Sequence, residues 1–244
     1  MSEESGSSST DAHTSERQVV AILLLLQNLS AGHGLVRPRL VDGGAVEALL
    51  HFLSARREPI SSRGEIIDTA ISALGNLMLS ASGSWRFASA GGVPTLTKLL
   101  HSTRPEAVAP AARVAAYLLR DSPPRSLVDA LTPALLHALS KGSTPASLDV
   151  LYALSNLFGV CPAALIGESA ATLGKGLVRV LQDPEQEEAL HFAMALMSLL
   201  LLQPHLRKAL IDAGVEQPLR ALVAGGWRGP ELLICLLYTS PSPR

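Results

Sequence analysis

Five pentapeptides spread along the chain can be laid over one another: LLQNL (25–29), ALGNL (73–77), AAYLL (115–119), ALSNL (153–157) and ALMSL (195–199). Their fourth residues, 28, 76, 118, 156 and 198, are separated by 48, 42, 38 and 42 positions. A second pattern runs ahead of them. LVDGGAVEALLHFL (40–53), FASAGGVPTLTKLL (87–100), LVDALTPALLHALS (127–140) and LIDAGVEQPLRALV (210–223) each place a small residue five positions before a leucine. The pairs are Gly44 and Leu49, Gly91 and Leu96, Ala130 and Leu135, and Gly214 and Leu219. LIGESAATLGKGLVRVL (165–181) is a looser copy with extra glycines. Glycine as the small residue permits a tight turn between two helices, because it reaches positive φ at no steric cost. The unit therefore reads as a short helix, a turn, a second helix, a loop and a longer third helix. One such unit cannot bury its own apolar face, and stacked neighbours complete a continuous core.

Composition agrees with helices. Apolar residues make up 48% of the chain and aromatics only 4%, with Leu and Ala dominant, so β-forming residues are not enriched. The net charge of −1 supplies no basic field for nucleic acid. Cys161 and Cys235 have neither a C-x-x-C partner nor a matching His pair, which argues against zinc and against a disulfide framework. The apolar run VVAILLLL (19–26) is far short of the roughly 20 residues a membrane span needs. The polar, partly acidic MSEESGSSSTDAHTSERQ before it lacks the positive start of a signal peptide. These features point to a cytoplasmic or nuclear protein.

With its glycine-turn motifs GGAVEALL and GGVPTLTKLL and its third-helix signatures ALGNL and ALSNL, the chain resembles the armadillo repeat family over about residues 16–234. HEAT repeats are the near alternative. The resemblance implies an all-α fold, a right-handed superhelical α-solenoid. Residues 1–15, Ser-rich and without hydrophobic pattern, are expected to be a disordered tail. A third helix alone is expected at 16–31, full units at about 33–81, 83–122, 124–160 and 161–203, and a truncated sixth from 204. CLLYTSPSPR (235–244) resembles a translated sequencing adaptor, which makes a non-native tail the expectation there.

In armadillo proteins the third helices line a concave groove. The resemblance implies that Asn28, Asn76 and Asn156 present their amides to the main chain of an extended peptide, with Tyr152 contacting a guest side chain. Helices packed 8–10 Å apart would meet a peptide rising about 3.3 Å per residue at every second or third position. The alternative is that each amide bonds a carbonyl of the neighbouring unit, since buried amides must be satisfied. Leu118 and Ser198 interrupt the series. Nuclear import adaptors carry Trp four residues before the Asn, whereas Leu24, Ser72, Val114, Tyr152 and Met194 stand there. The N-terminus is also not basic, and both departures argue against an import adaptor.

Other residues attract bland readings. His51, His101 and His137 each follow a Leu-Leu pair and read as repeat-position residues, set too far apart by one unit to share a metal. His191 reads as a partly exposed groove or core residue. Glu185, Glu187 and Glu188 open a helix, where acids favour the dipole. Lys175 is followed by Gly176, not by the Ser or Thr of a phosphate-binding loop. Trp85 is expected to pack between units, and Arg56, Arg57 and Arg86 to be solvated. The expected function is a non-catalytic scaffold for a protein or an extended peptide, without cofactor or metal, and with no nucleic acid, membrane or small-molecule substrate. The alternatives are the repeat region of a larger enzyme such as a ubiquitin ligase, or a chaperone cofactor gripping a folded partner.

Overall fold

The computed structural model describes residues 7–32, 34–55, 64–120, 122–141, 144–164, 167–183 and 186–227. Among them there is no strand, and thirteen α-helices follow one another with a single 3-10 turn. They are α1 (Ser7–Ala31), α2 (Val36–Asp42), α3 (Ala45–Ala55), α4 (Gly64–Leu77), α5 (Ala81–Ser89), α6 (Gly92–Leu100) and α7 (Pro105–Arg120). After these come α8 (Arg125–Lys141), α9 (Thr144–Val160), the 3-10 turn Pro162–Ala164, α10 (Glu168–Leu181), α11 (Glu187–Leu200), α12 (Pro204–Asp212) and α13 (Glu216–Ala224). The repeat's succession of first, second and third helix is met as α2–α3–α4 and α5–α6–α7, with α12–α13 as the start of another. α1 begins at Ser7, inside the segment expected to lack structure, so the helix of the apolar run propagates back into the Ser-rich stretch. The tail 235–244 lies outside the described residues.

The chain forms two compact units, Met1–Thr95 and Leu96–Arg244, with the division inside α6. In the first, α1 packs on α4, and α2 and α3 pack on α4 and α5. Its core holds Val41, Val46, Leu49, Ile71, Leu74 and Phe87. In the second, the third helices α7, α9 and α11 pack consecutively, and α8 and α10 form the layer beside them. Val114, Leu131, Leu135, Leu151, Leu154, Leu177, Leu190 and Met197 fill that core. Where one helix supplies two of them, they are four (α8), three (α9) or seven (α11) residues apart, the one-sided pattern a packed helix requires.

The turn glycines do the same work three times. Gly44, Gly91 and Gly214 have φ of 84°, 72° and 84°. Each donates its N–H to the carbonyl three residues back, Val41, Ala88 and Ile211, at 3.1, 3.2 and 2.9 Å. Gly92 has a different reason to lack a side chain: a Cβ there would stand 2.6 Å from the Phe87 ring. Phe87 is fully buried, whereas Trp85, expected to pack between units, is 68% exposed.

Two units depart from the scheme. Where Ala130 replaces the turn glycine the turn is not made, and the expected first and second helices are one helix, α8. Alanine resists positive φ and favours the helix, so the chain runs straight through. A trace of the break survives at Pro133, which has no N–H for the ladder, and the Thr132 hydroxyl beside it donates to the Val128 carbonyl at 2.7 Å. In the next unit the first helix is reduced to the 3-10 turn, and Gly167, at φ 58°, leads into α10. The extra glycines of α10 are close-approach positions. A Cβ on Gly174 would stand 2.6 Å from Ala213 Cβ, and one on Gly176 would stand 2.7 Å from the Leu139 side chain.

Arginines close helix ends. Arg37 donates to the Ser30 carbonyl at the end of α1 (3.0 Å), and Arg207 to the Leu201 carbonyl after α11 (2.8 Å). Arg179 donates twice to the Leu139 carbonyl of α8, at 3.1 and 2.8 Å, and once to Ser147 Oγ at 3.1 Å. Cations suit these positions because the last carbonyls of a helix lack intrahelical donors.

Candidate functional site

On α9 the residues Asp149, Tyr152 and Asn156 follow one another at intervals of three and four and so share one stripe. α7 and α11 pack against α9, so the stripe has neighbours on adjacent third helices. Arg113 Nε of α7 lies 3.1 Å from Asp149 Oδ1. The Tyr152 and Phe192 rings stand edge to face, centroids 6.3 Å apart and planes at 88°, the geometry that the aromatic quadrupole favours. Both rings keep a face to solvent, Tyr152 at 38% exposure and Phe192 at 41%. Leu199, seven residues beyond Phe192 on α11, is also exposed. The result is an open apolar patch bordered by an ion pair on one side and an amide on the other.

Asn156 Nδ2 donates to the Ala116 carbonyl of α7 at 3.0 Å. An amide has two N–H donors and one acceptor oxygen, so this bond leaves one donor direction and Oδ1. Asn76 is more committed. Its Nδ2 is 3.2 Å from the Gln27 carbonyl and 3.3 Å from Ser30 Oγ, both on α1. Two N–H groups are thereby matched by two acceptors, and Oδ1 is what remains. Asn28 sits exposed on α1. Each of Asn76 and Asn156 thus bonds the third helix one unit earlier, the outcome the sequence left open beside guest contact. Asn28 and Asn76 belong to the first compact unit, and Asn156 and Tyr152 to the second. At the interrupted positions, Leu118 is buried, and Ser198 Oγ donates to its own helix at the Ala195 carbonyl, 2.8 Å.

Burial raises the Asp149 carboxyl above its ordinary value of 3.8, and Arg113 opposes this by charge and hydrogen bond. The aspartate is half-buried, and the guanidinium compensates it only in part.

Several side groups differ from expectation. His101 and His137 meet: their ring centroids are 4.6 Å apart. Equivalent positions of stacked units are neighbours in space, and long side chains close the remaining gap. The His137 pKa is lowered, first by burial and then by the charges of His101 and Lys141. Arg86 is not simply solvated; it lies 3.2 Å from Glu47 and 3.8 Å from Asp42. His191 is exposed on α11, its ring 4.9 Å from that of Trp227 and its Nε2 3.8 Å from Glu187. Glu187 and Glu188 occupy the first turn of α11, while Glu185, Arg56, Arg57 and Cys235 lie outside the described residues. Among the described residues no group of three or more His, Cys, Asp or Glu is placed to hold a metal, and no helix is long and apolar enough to cross a membrane.

Phe192 and Arg113 were missed from sequence. The column alignment that pairs Asn156 with Ser198 puts Met194, not Phe192, level with Tyr152, so the partner ring is found only diagonally across the helices. Arg113 and Asp149 are likewise offset in register and give no sequence signal beyond opposite charge.

No family model matches the chain, and no curated protein matches it. Solved structures do. A designed armadillo repeat protein superposes with a TM-score of 0.64 at 19% identity, covering 92% of this chain and 94% of its own. Another designed armadillo repeat protein, in complex with the peptide (KR)4, gives 0.67 at 19% identity with the same coverage. A structure of computationally designed armadillo repeat proteins for modular peptide recognition gives 0.66 at 18% identity, again over 92% of this chain and 94% of that one. Identity this low speaks to fold alone, and the fold is the all-α armadillo-type solenoid.

Proposed function

We propose that the chain is a non-catalytic scaffold whose third-helix face holds an extended peptide, with the α9 stripe of the second unit as its principal contact. The observation that carries this is the exposed Tyr152–Phe192 pair standing beside Asn156 on adjoining third helices. An edge-to-face pair already in place receives an apolar or aromatic guest side chain with little ordering cost, because two rigid rings have few torsions to freeze. Asn156 Oδ1 accepts a guest main-chain N–H, and its second N–H donates to a guest carbonyl. In the first unit, taken by itself, Asn76 keeps only Oδ1 for a guest, and Asn28 lies exposed on α1.

Support is of two kinds. The fold is shared with designed proteins that bind or were made to recognise peptides, and the face bears apolar side chains turned to water where a packed core would hide them. The guest read from this patch differs from a basic peptide: the stripe's one carboxylate, Asp149, is already paired with Arg113. The test is a peptide-library selection against the whole chain, followed by affinity measurements with Tyr152→Ala and Asn156→Ala. Selected peptides are expected to carry an apolar anchor and to lose affinity for both variants. Binding that is strong and indifferent to both substitutions, with the variants folded, would exclude this face and favour a grip on a folded partner.

A further inference from the structure

We propose that His101 and His137 form a two-histidine site for a borderline transition metal ion, Zn²⁺, Cu²⁺ or Ni²⁺, which ties the second-helix ends of two successive repeats together. Two observations carry it. His101 Nδ1 lies 2.8 Å from the Thr97 carbonyl oxygen. A carbonyl only accepts, so Nδ1 bears the proton and Nε2 keeps its lone pair turned away from that carbonyl. This is the arrangement of a metal-ligating histidine, with one ring nitrogen fixed by a backbone acceptor and the other free to coordinate.

The second observation is the ring spacing. A metal–nitrogen bond of about 2.0–2.1 Å places the metal roughly 3.2 Å from each imidazole centre. Two such ligands at a right angle therefore have centres about 4.5 Å apart, and at a tetrahedral angle about 5.2 Å. The observed separation is 4.6 Å with the planes tilted by 31°. Seating an ion requires His137 to turn a free ring nitrogen toward the same point as His101 Nε2, with water completing the coordination.

The donor set chooses the metal class: two imidazole nitrogens suit Zn²⁺, Cu²⁺ or Ni²⁺, whereas Mg²⁺ and Ca²⁺ want carboxylate oxygens. Lys141, one turn beyond His137 on α8, repels any bound cation and so weakens the site. The site is separate from the α9 stripe and does not depend on peptide binding.

The test uses the full chain and the metal salts alone. Free protein is examined by long-range ¹H–¹⁵N correlation of the histidine rings, then titrated with Zn²⁺ and Ni²⁺. The expected result is an Nδ1–H tautomer at His101. The His101 and His137 ring signals should then move together and saturate at one equivalent, and Mg²⁺ should have no effect. His101→Gln and His137→Gln, each checked for folding by circular dichroism, should each abolish that step. An Nε2–H tautomer at His101, the absence of a saturable step, or a step that persists in either variant because it belongs to other histidines would overturn the proposal.

Discussion

At the scale of single residues, the amides have a structural duty whether or not a guest is bound. Asn156→Ala removes the bond to the Ala116 carbonyl and should cost about 1 kcal/mol in denaturant unfolding. No change in the unfolding midpoint would mean that the cross-helix bond contributes nothing. Asp149 offers a second check. Its folded pKa is raised, so the folded state binds a proton more readily than the unfolded chain just above pH 3.8, and this group's contribution to stability diminishes as pH rises through that window. Arg113→Ala removes both influences that hold the pKa down. The Asp149 carboxyl titration, followed by NMR, should then move further upward, and a downward move would show that the ion pair is not made. Sequence could nominate Tyr152, Asn76 and Asn156, because a polar or aromatic residue interrupts a repeated apolar segment. It could not show that the amide hydrogens were already engaged, because that depends on which carbonyl of the previous unit lies opposite. Nor could it separate Trp85 from Phe87, two residues apart on one short helix, of which only Phe87 turns inward.

At the scale of elements, the small residue at the turn decides whether a unit has three helices or two. Gly214 sits at φ 84°, where a Cβ is strained, so Gly214→Ala should destabilise the second unit by about 1–2 kcal/mol. Ala130→Gly, in the middle of α8, should also destabilise, by about 0.5–1 kcal/mol, rather than restore a favourable turn. The pair of variants is read together by chemical denaturation, and a stabilising Ala130→Gly would contradict a continuous α8. Gly174→Ala tests close packing in the same way. With 2.6 Å to Ala213 Cβ, overpacking should cost about 1–3 kcal/mol, and an unchanged midpoint would show that α10 and α12 can separate freely. The repeat period and the turn glycines made most helices legible in advance. What sequence hid was local: the fusion of two helices at Ala130, the shrinkage of one to Pro162–Ala164, and the start of α1 at Ser7. Each turns on a balance of about 1 kcal/mol between turn and helix, which a pattern of apolar residues does not register.

At the scale of the molecule, both compact units set third helices side by side and join them through an asparagine amide and a main-chain carbonyl. The second unit adds ring to ring and carboxylate to guanidinium. Repetition makes equivalent positions of neighbouring repeats into neighbours in space, which brings His101 to His137, while Tyr152 meets Phe192 diagonally, two residues off that register. Reception of an extended chain by the α9–α11 face is tested most directly with peptides selected for binding to the whole protein. The affinity of one such peptide is measured for wild type, Tyr152→Ala and Phe192→Ala. An apolar anchor in the selected peptides is predicted, with a loss of about tenfold or more in each variant, the 1.4 kcal/mol scale expected of one aromatic contact. Equal affinity for all three proteins, with both variants folded, would contradict it.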